Sequence, residues 1–342
     1  MDNIAGVNKQ LPRHSAGSLE LKEGTGPITA MCPCGSFLEV FKVDKTFRIQ
    51  TPESIDPEET NPNAPWVASP VSDVGSGNLS VARVLLQARE MLDAALCDGE
   101  IDKEAVVLHL HSCKEALVAC ESLANRVGNG IDQITQQITE AGIARDNRGR
   151  GLNPFPQVQH LELDSGAFLV QVNRAIKLVC ELPTYFLLLE RPDSNFDHLG
   201  DRLLQAIGED SPITTFVKAN ASAVRYLADL RNFHEHPRKT RTVIKNFHVL
   251  PDGAISPPTW RLSGDQTTEA QPIKDEMIAA VSFVRDIAEI LFIHLLMHRL
   301  SKNFPYFVEQ IPDDAIDPAR PIRYRLSIDF AQIRVVAPPG DA

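Results

Sequence analysis

The stretch TPESIDPEETNPNAPWVASPVSDVGSGN, residues 51–78, constrains this chain more than any other. Proline, asparagine, serine and glycine crowd it, so it lacks the apolar periodicity that a packed element needs. It reads as a linker or long surface loop, and it separates two differently patterned regions. Before it, FLEVFKV and TFRIQ are short β-type runs flanking Asp44 and Lys45, which predicts a hairpin. After it, from about residue 79, apolar residues recur three and four apart, the helical period. LSVARVLLQAREMLDAALC, DKEAVVLHLHSCKEALVACESLANRV, IDQITQQITEAGIARD and SGAFLVQVNRAIKLVCELPTYFLLLE follow one another. Pro183 bends or splits the last of them.

The resulting plan is a tail over residues 1–30, a β-hairpin segment with linker over 31–78, a helical bundle over 79–300 and a C-terminal segment over 301–342. Within the bundle, TRTVIKNFHVL and AISPPTWRLSG flank the turn residues PDG, a second hairpin signal. A long helix is expected over roughly 273–300, and PIRYRLSIDF, 321–330, alternates as a strand does. The expected fold class is therefore mainly α: a helical bundle with a small β-containing N-terminal segment and a β-hairpin inserted late in the chain.

Composition narrows the function classes. The chain has 342 residues, 43% hydrophobic and 23% charged, enough for one large core or two modest ones. A net charge of −11 disfavours generic coating of nucleic acid along a broad face. One local basic island stands out: His234, His236, Arg238, Lys239 and Arg241. The first residues, MDNIAGVNKQLPRHSAG, have no apolar core of a signal peptide. The most apolar run, AEILFIHLLMHRL at 288–300, is short and carries His294 and His298, so it reads as a buried helix and not a membrane span. The six cysteines are irregularly spaced, which points to reduced thiols in a cytoplasm.

The island belongs to RNFHEHPRKT, residues 231–240. Ser211 is placed to cap its helix and Pro212 suits the first turn. The helix then runs without a breaker to Pro237, which disfavours helix at His236. Val217 and Val224 lie fourteen and seven residues before Arg231, with Ala221, Leu227 and Ala228 beside them, so Arg231 continues an apolar stripe. Asn232 and His236 are four apart and share a face. Arg231 and His236 are five apart and diverge by ~140° on an ideal helix. A cation and an imidazole at one cleft suit phosphodiester chemistry. The imidazole removes a ribose 2′-hydroxyl proton or protonates the leaving oxygen, and the guanidinium holds the phosphate. The carboxylate cluster of a two-metal nuclease is not in the sequence, and no cofactor motif is present. The plainer alternative is a helix end, where basic side chains meet free carbonyls and Arg231 pairs with Glu235 at i,i+4.

R-N-F-H-E-H resembles the R-x4-6-H signature of the HEPN superfamily, with asparagine directly after the arginine. The resemblance covers roughly residues 160–300. It implies a four- or five-helix bundle that dimerises, and in many members a metal-independent endoribonuclease of toxin–antitoxin, abortive-infection or antiviral defence. Carried over, Arg231 binds the scissile phosphate, His236 is the acid or base and Asn232 orients them. The basic residues Arg238, Lys239 and Arg241 are the expected substrate-binding set. The expected partners are an RNA substrate, a second copy of the chain and an antitoxin or other regulator. A two-fold dimer would answer the ~140° divergence, because the cleft is then built from two helices. Two departures stand: the position two after His236 is Arg238 and not tyrosine, and Pro237 follows His236 directly. Some HEPN domains only bind or dimerise, which is the alternative function.

MCPCGS offers a weak metal candidate in Cys32 and Cys34, half of a zinc site that needs further ligands. His109 and Cys113, four apart on a helix beyond a long loop, could supply them, and His111 is the next option. His109, Cys113 and Cys120 share a helix face and are better read as core packing.

Overall fold

The computed structural model describes Arg13 and residues 18–145, 149, 151–187 and 189–329. The structure is about 49% helical and 17% strand, with the strands in four small sheets. The architecture is mixed α/β, which corrects the expected mainly α, HEPN-like bundle. The physical reason lies in the strands. They are two to six residues long, and AMCPC, VASPVS and QP each carry a proline. Such pieces have no alternation long enough to read, and some of them pair across intervening chain, 46–50 with 67–72 and 241–245 with 259–263.

The chain divides into two compact units, each discontinuous in sequence. Unit 1 takes the chain up to Ala95, then Lys103–Leu108 and Phe307–Ser327. Unit 2 takes Leu96–Asp102, His109–Tyr306 and the residues from Ile328. Most of the expected tail lies outside the described residues, as does the end of the chain from Phe330.

Unit 1 is built on an antiparallel sheet in the order β1 (Ala30–Cys34), β2 (Phe37–Phe41), β3 (Thr46–Gln50), β4 (Val67–Ser72). The β2–β3 hairpin turns at Asp44 and Lys45, where the sequence places it. Between β3 and β4 a single helical turn, α1 (Pro52–Ile55), is capped by Thr51, whose hydroxyl accepts from the Ser54 N–H. The stretch read as linker thus contributes the edge strand β4. The Pro70 nitrogen has no hydrogen to donate, which an edge strand tolerates. A π-helical turn at Val81–Leu86 leads into α2 (Gln87–Ala94). The side-chain oxygen (Oε1) of the buried Gln87 accepts from the Arg323 and Tyr324 N–H groups at 2.7 and 2.8 Å. Those groups lie at the start of β11 (Tyr324–Ile328), which pairs with β10 (Tyr306–Gln310). The alternating segment PIRYRLSIDF is therefore a strand in its middle.

Unit 2 holds the longer helices. α3 (Lys103–Ala141), which belongs to this unit from His109 on, is one continuous helix of 39 residues and joins two segments that read separately in the sequence. It is followed by α4 (Leu161–Glu181), α5 (Phe196–Ile207), α6 (Pro212–Glu235) and α7 (Ile273–Arg299). Pro183 sits in a 3₁₀ turn that ends α4. Between α6 and α7 the chain forms β5 (Arg241–Lys245), β6 (His248–Val249), β7 (Ile255–Ser256), β8 (Thr259–Ser263) and β9 (Gln271–Pro272). β5, β8 and β9 make one antiparallel sheet, and β6–β7 a short ribbon around the PDG turn. The core is apolar and aromatic: Trp260 on β8 meets Phe168 on α4 at 6.2 Å, and Phe186 meets Phe292 on α7 edge-on at 6.0 Å. Burying each such ring contributes on the order of 1.5–3 kcal/mol. Within unit 2, α3 is tied to α7 by Asp132–Lys274 at 2.6 Å and to α4 by His109, whose Nε2–H donates to the Leu178 carbonyl at 2.6 Å. Among the described residues no helix is long and apolar enough to cross a membrane.

Candidate functional site at the end of helix α6

The motif sits where α6 stops. Pro212 occupies the first helical turn, and Ser211 is the N-cap residue although its hydroxyl makes no capping bond. Ile213, Thr214, Val217, Val224, Leu227 and Leu230 form the buried stripe that seats α6 on its neighbours. At the other end the His236 N–H donates to the Asn232 carbonyl at 2.8 Å, the last helical bond. His236 then leaves the helical region at φ −129°, ψ 63°. The steric demand of Pro237 on the residue before it accounts for this stop. The Thr242 hydroxyl on β5 donates to the Leu230 carbonyl at 2.7 Å. That bond ties the next strand to the last turns of the motif helix.

Arg231 follows the apolar stripe, as its spacing predicts, and its side chain is 24% exposed. Its Nη2 pairs with the Glu235 carboxylate one turn on, and its Nη1 donates to the Asn232 side-chain oxygen at 3.1 Å. Its Nε is buried with no partner among the described residues. The guanidinium is therefore held by its own helix, and within one chain no hydrogen bond joins it to the His236 ring. Asn232 and His236 are exposed, as are Arg238, Lys239 and Arg241. No ion pair engages those three cations among the described residues. The Arg238 N–H donates to the Thr240 carbonyl at 3.1 Å, and Thr240 is buried, so the basic segment is a tight turn and not a free strand.

The structure separates the two imidazoles of the motif. His234 is half-buried and lies on α4: a Cβ added to Gly166 would come within 2.6 Å of its Cε1. Only glycine at 166 lets the ring approach that closely. His236, two residues on, carries no such contact. A glycine inside an apolar helical pattern signals close approach, so Gly166 was findable in the sequence, whereas Thr242 carried no signal. Gly166→Ala is expected to destabilise the protein by about 1–3 kcal/mol, because the methyl group displaces His234. A thermal melt unchanged from wild type would show that His234 yields freely.

The remaining candidates lie elsewhere. His109 accepts the Tyr185 hydroxyl on Nδ1 at 3.3 Å while Nε2–H serves Leu178, so it is occupied by packing. Burial pushes the Cys113 thiol up to about 12 and raises Cys120 and Cys180 as well, which leaves all three inert. Burial likewise lowers the pKa of His294, whose ring lies tilted against Phe216 with centroids 5.5 Å apart. Cys32 and Cys34 are buried on β1 in unit 1. A hollow of about 400 Å³ between α3 and the start of α4 is lined by Arg126, Gln133, His160 and Asp164, none of them motif residues. Comparison of the chain with protein-family models, with curated proteins and with solved structures finds no match.

Proposed function

We propose that the chain is a metal-independent endoribonuclease whose site is the end of α6. The observation that carries this reading is the shared exposure of Asn232, His236, Arg238, Lys239 and Arg241 beside a partly exposed Arg231. In the proposed reaction His236 removes the ribose 2′-hydroxyl proton, and the 2′ oxygen attacks phosphorus. The bond to the 5′ oxygen breaks, and that oxygen leaves with a proton from an imidazolium or from water. Arg231 binds the non-bridging oxygens through two N–H groups as charge grows on them. Asn232 keeps the guanidinium oriented, and the basic turn holds the flanking phosphates. Glu235 does not close the site. An i,i+4 pair at this exposure stabilises by ~0.3–0.5 kcal/mol, so a bidentate phosphate displaces it readily.

The rest of the reading follows from the HEPN resemblance of the motif: a two-fold dimer in which two copies of α6 line one cleft, action in the cytoplasm, and control by an antitoxin or another regulator in stress or antiviral defence. A second reading, a non-catalytic binding or dimerisation protein, is favoured by one specific observation, the engagement of both Arg231 amino groups within its own helix. The two readings part in a short cleavage assay on purified protein. Cleavage should proceed equally in EDTA, and the products should end in 2′,3′-cyclic phosphate. Activity that vanishes in EDTA and returns with magnesium would sink the proposed chemistry, and no cleavage of any RNA would favour the second reading.

A further inference from the structure

We propose that Cys32, Cys34 and Glu39 hold a zinc ion in unit 1, separate from the motif on α6. The strands build the ligand set. On β1 the side chains alternate: Met31 is 61% exposed, while Cys32 and Cys34 are 0% and 1% exposed. Gly35, at φ +62°, turns the chain so that Cys34 pairs with Phe37 and Cys32 with Glu39. Residues directly opposite in an antiparallel pair point to the same face, so Glu39 shares the face of the two cysteines. Glu39 is itself 0% exposed.

The geometry suits a metal better than a disulfide or simple packing. The two sulfurs lie 3.9 Å apart, and both cysteines are reduced. Two Zn–S bonds of ~2.3 Å at the tetrahedral angle separate their sulfurs by ~3.8 Å, whereas a disulfide needs ~2.05 Å. Cys34 Sγ and a Glu39 carboxylate oxygen are within 4.8 Å of each other, close enough to share one ion. Charge also balances. Zinc with two thiolates and one carboxylate carries −1. Arg48, opposite Glu39 on β3, approaches that carboxylate at 3.4 Å and supplies +1. Its guanidinium is fixed 4.0 Å above the Phe37 ring. Thiolate ligands select zinc over magnesium or calcium, and three protein ligands leave the fourth position to water or a further donor. Binding releases two thiol protons, so affinity should fall as pH falls.

The test uses the full chain. Purified protein should carry about one zinc per chain by elemental analysis, and cobalt(II) in its place should give sulfur-to-cobalt charge-transfer absorption. Cys32→Ser/Cys34→Ser should abolish both signals. Glu39→Gln keeps both thiols and nearly the same shape, and should weaken zinc at least about tenfold against a chelating dye. Should the cysteine variant fail to fold, the wild-type cobalt spectrum and Glu39→Gln still decide. Folded wild type with neither zinc nor a thiolate–cobalt band overturns the proposal. So does wild-type affinity in Glu39→Gln, or an undiminished band in the folded double variant.

Discussion

Alanine at Arg231 or at His236 is expected to abolish RNA cleavage and leave the fold intact. Removing one preorganised cation from a developing oxyanion costs about 10²–10³ in rate, and removing a general acid–base imidazole about 10²–10⁴. The structural side of the same substitutions is small. Arg231 loses a partly exposed pair with Glu235 and some stem packing, and His236 loses only its place at the helix end. Each should move stability by no more than about 1 kcal/mol. The divergence of the two side chains on one helix adds a sharper expectation. In a dimer with composite sites, mixing inactive Arg231→Ala with inactive His236→Ala protein should restore part of the activity, because a mixed dimer rebuilds one intact cleft. No recovery on mixing, from variants that still form dimers, would refute the composite site. Large destabilisation at 231 with undiminished cleavage at 236 would reduce the motif to a helix end.

The sequence was most legible where structure is local. The hairpin at Asp44–Lys45, the helices from α4 to α7, and the stop of α6 before Pro237 all follow from residues a few positions apart. It was least legible where pairing is distant. β4 lies in a proline-rich stretch that no periodicity marks, yet it closes a sheet because β3 presents an unpaired edge to it. β10 and β11 are separated by a segment without regular alternation. α3 runs on through Gly128 and Gly130, because packing outweighs a propensity loss of ~1 kcal/mol each. The mainly α expectation failed by the sum of these omissions. At the motif, spacing singled out Arg231, Asn232 and His236 as the proposed site, and it also offered Glu235 as the partner that Arg231 has. It chose His236 over His234 from the motif spacing alone, and the contact of His234 with Gly166 on another helix lay beyond that spacing.

Trp260→Ala should be the most destabilising single change in unit 2, at roughly 3–5 kcal/mol. Its side chain on β8 is 0% exposed and packed on Phe168, and no smaller residue fills the space. Against a typical total of ~5–15 kcal/mol, that loss is a large share of stability. Trp260→Phe should cost distinctly less. Its indole Nε1 is buried with no partner among the described residues, and removing an unsatisfied donor recovers part of ~1–3 kcal/mol. The sequence supplies its own reporter for this test. There are two tryptophans, Trp66 in unit 1 and Trp260 in unit 2, and the first is 44% exposed. In Trp66→Phe protein, emission therefore follows unit 2 alone, and in Trp260→Phe it follows unit 1. Denaturant midpoints from the two proteins should differ if the units melt separately. Phe168→Ala in the Trp66→Phe background should then lower only the unit 2 midpoint, since the ring it removes is the one that Trp260 rests on. A Phe168→Ala midpoint equal to its parent's would mean that the Trp260–Phe168 contact does not hold unit 2 together. The β5–β8 ladder would then have to be what keeps Arg238, Lys239 and Arg241 in place beside the motif.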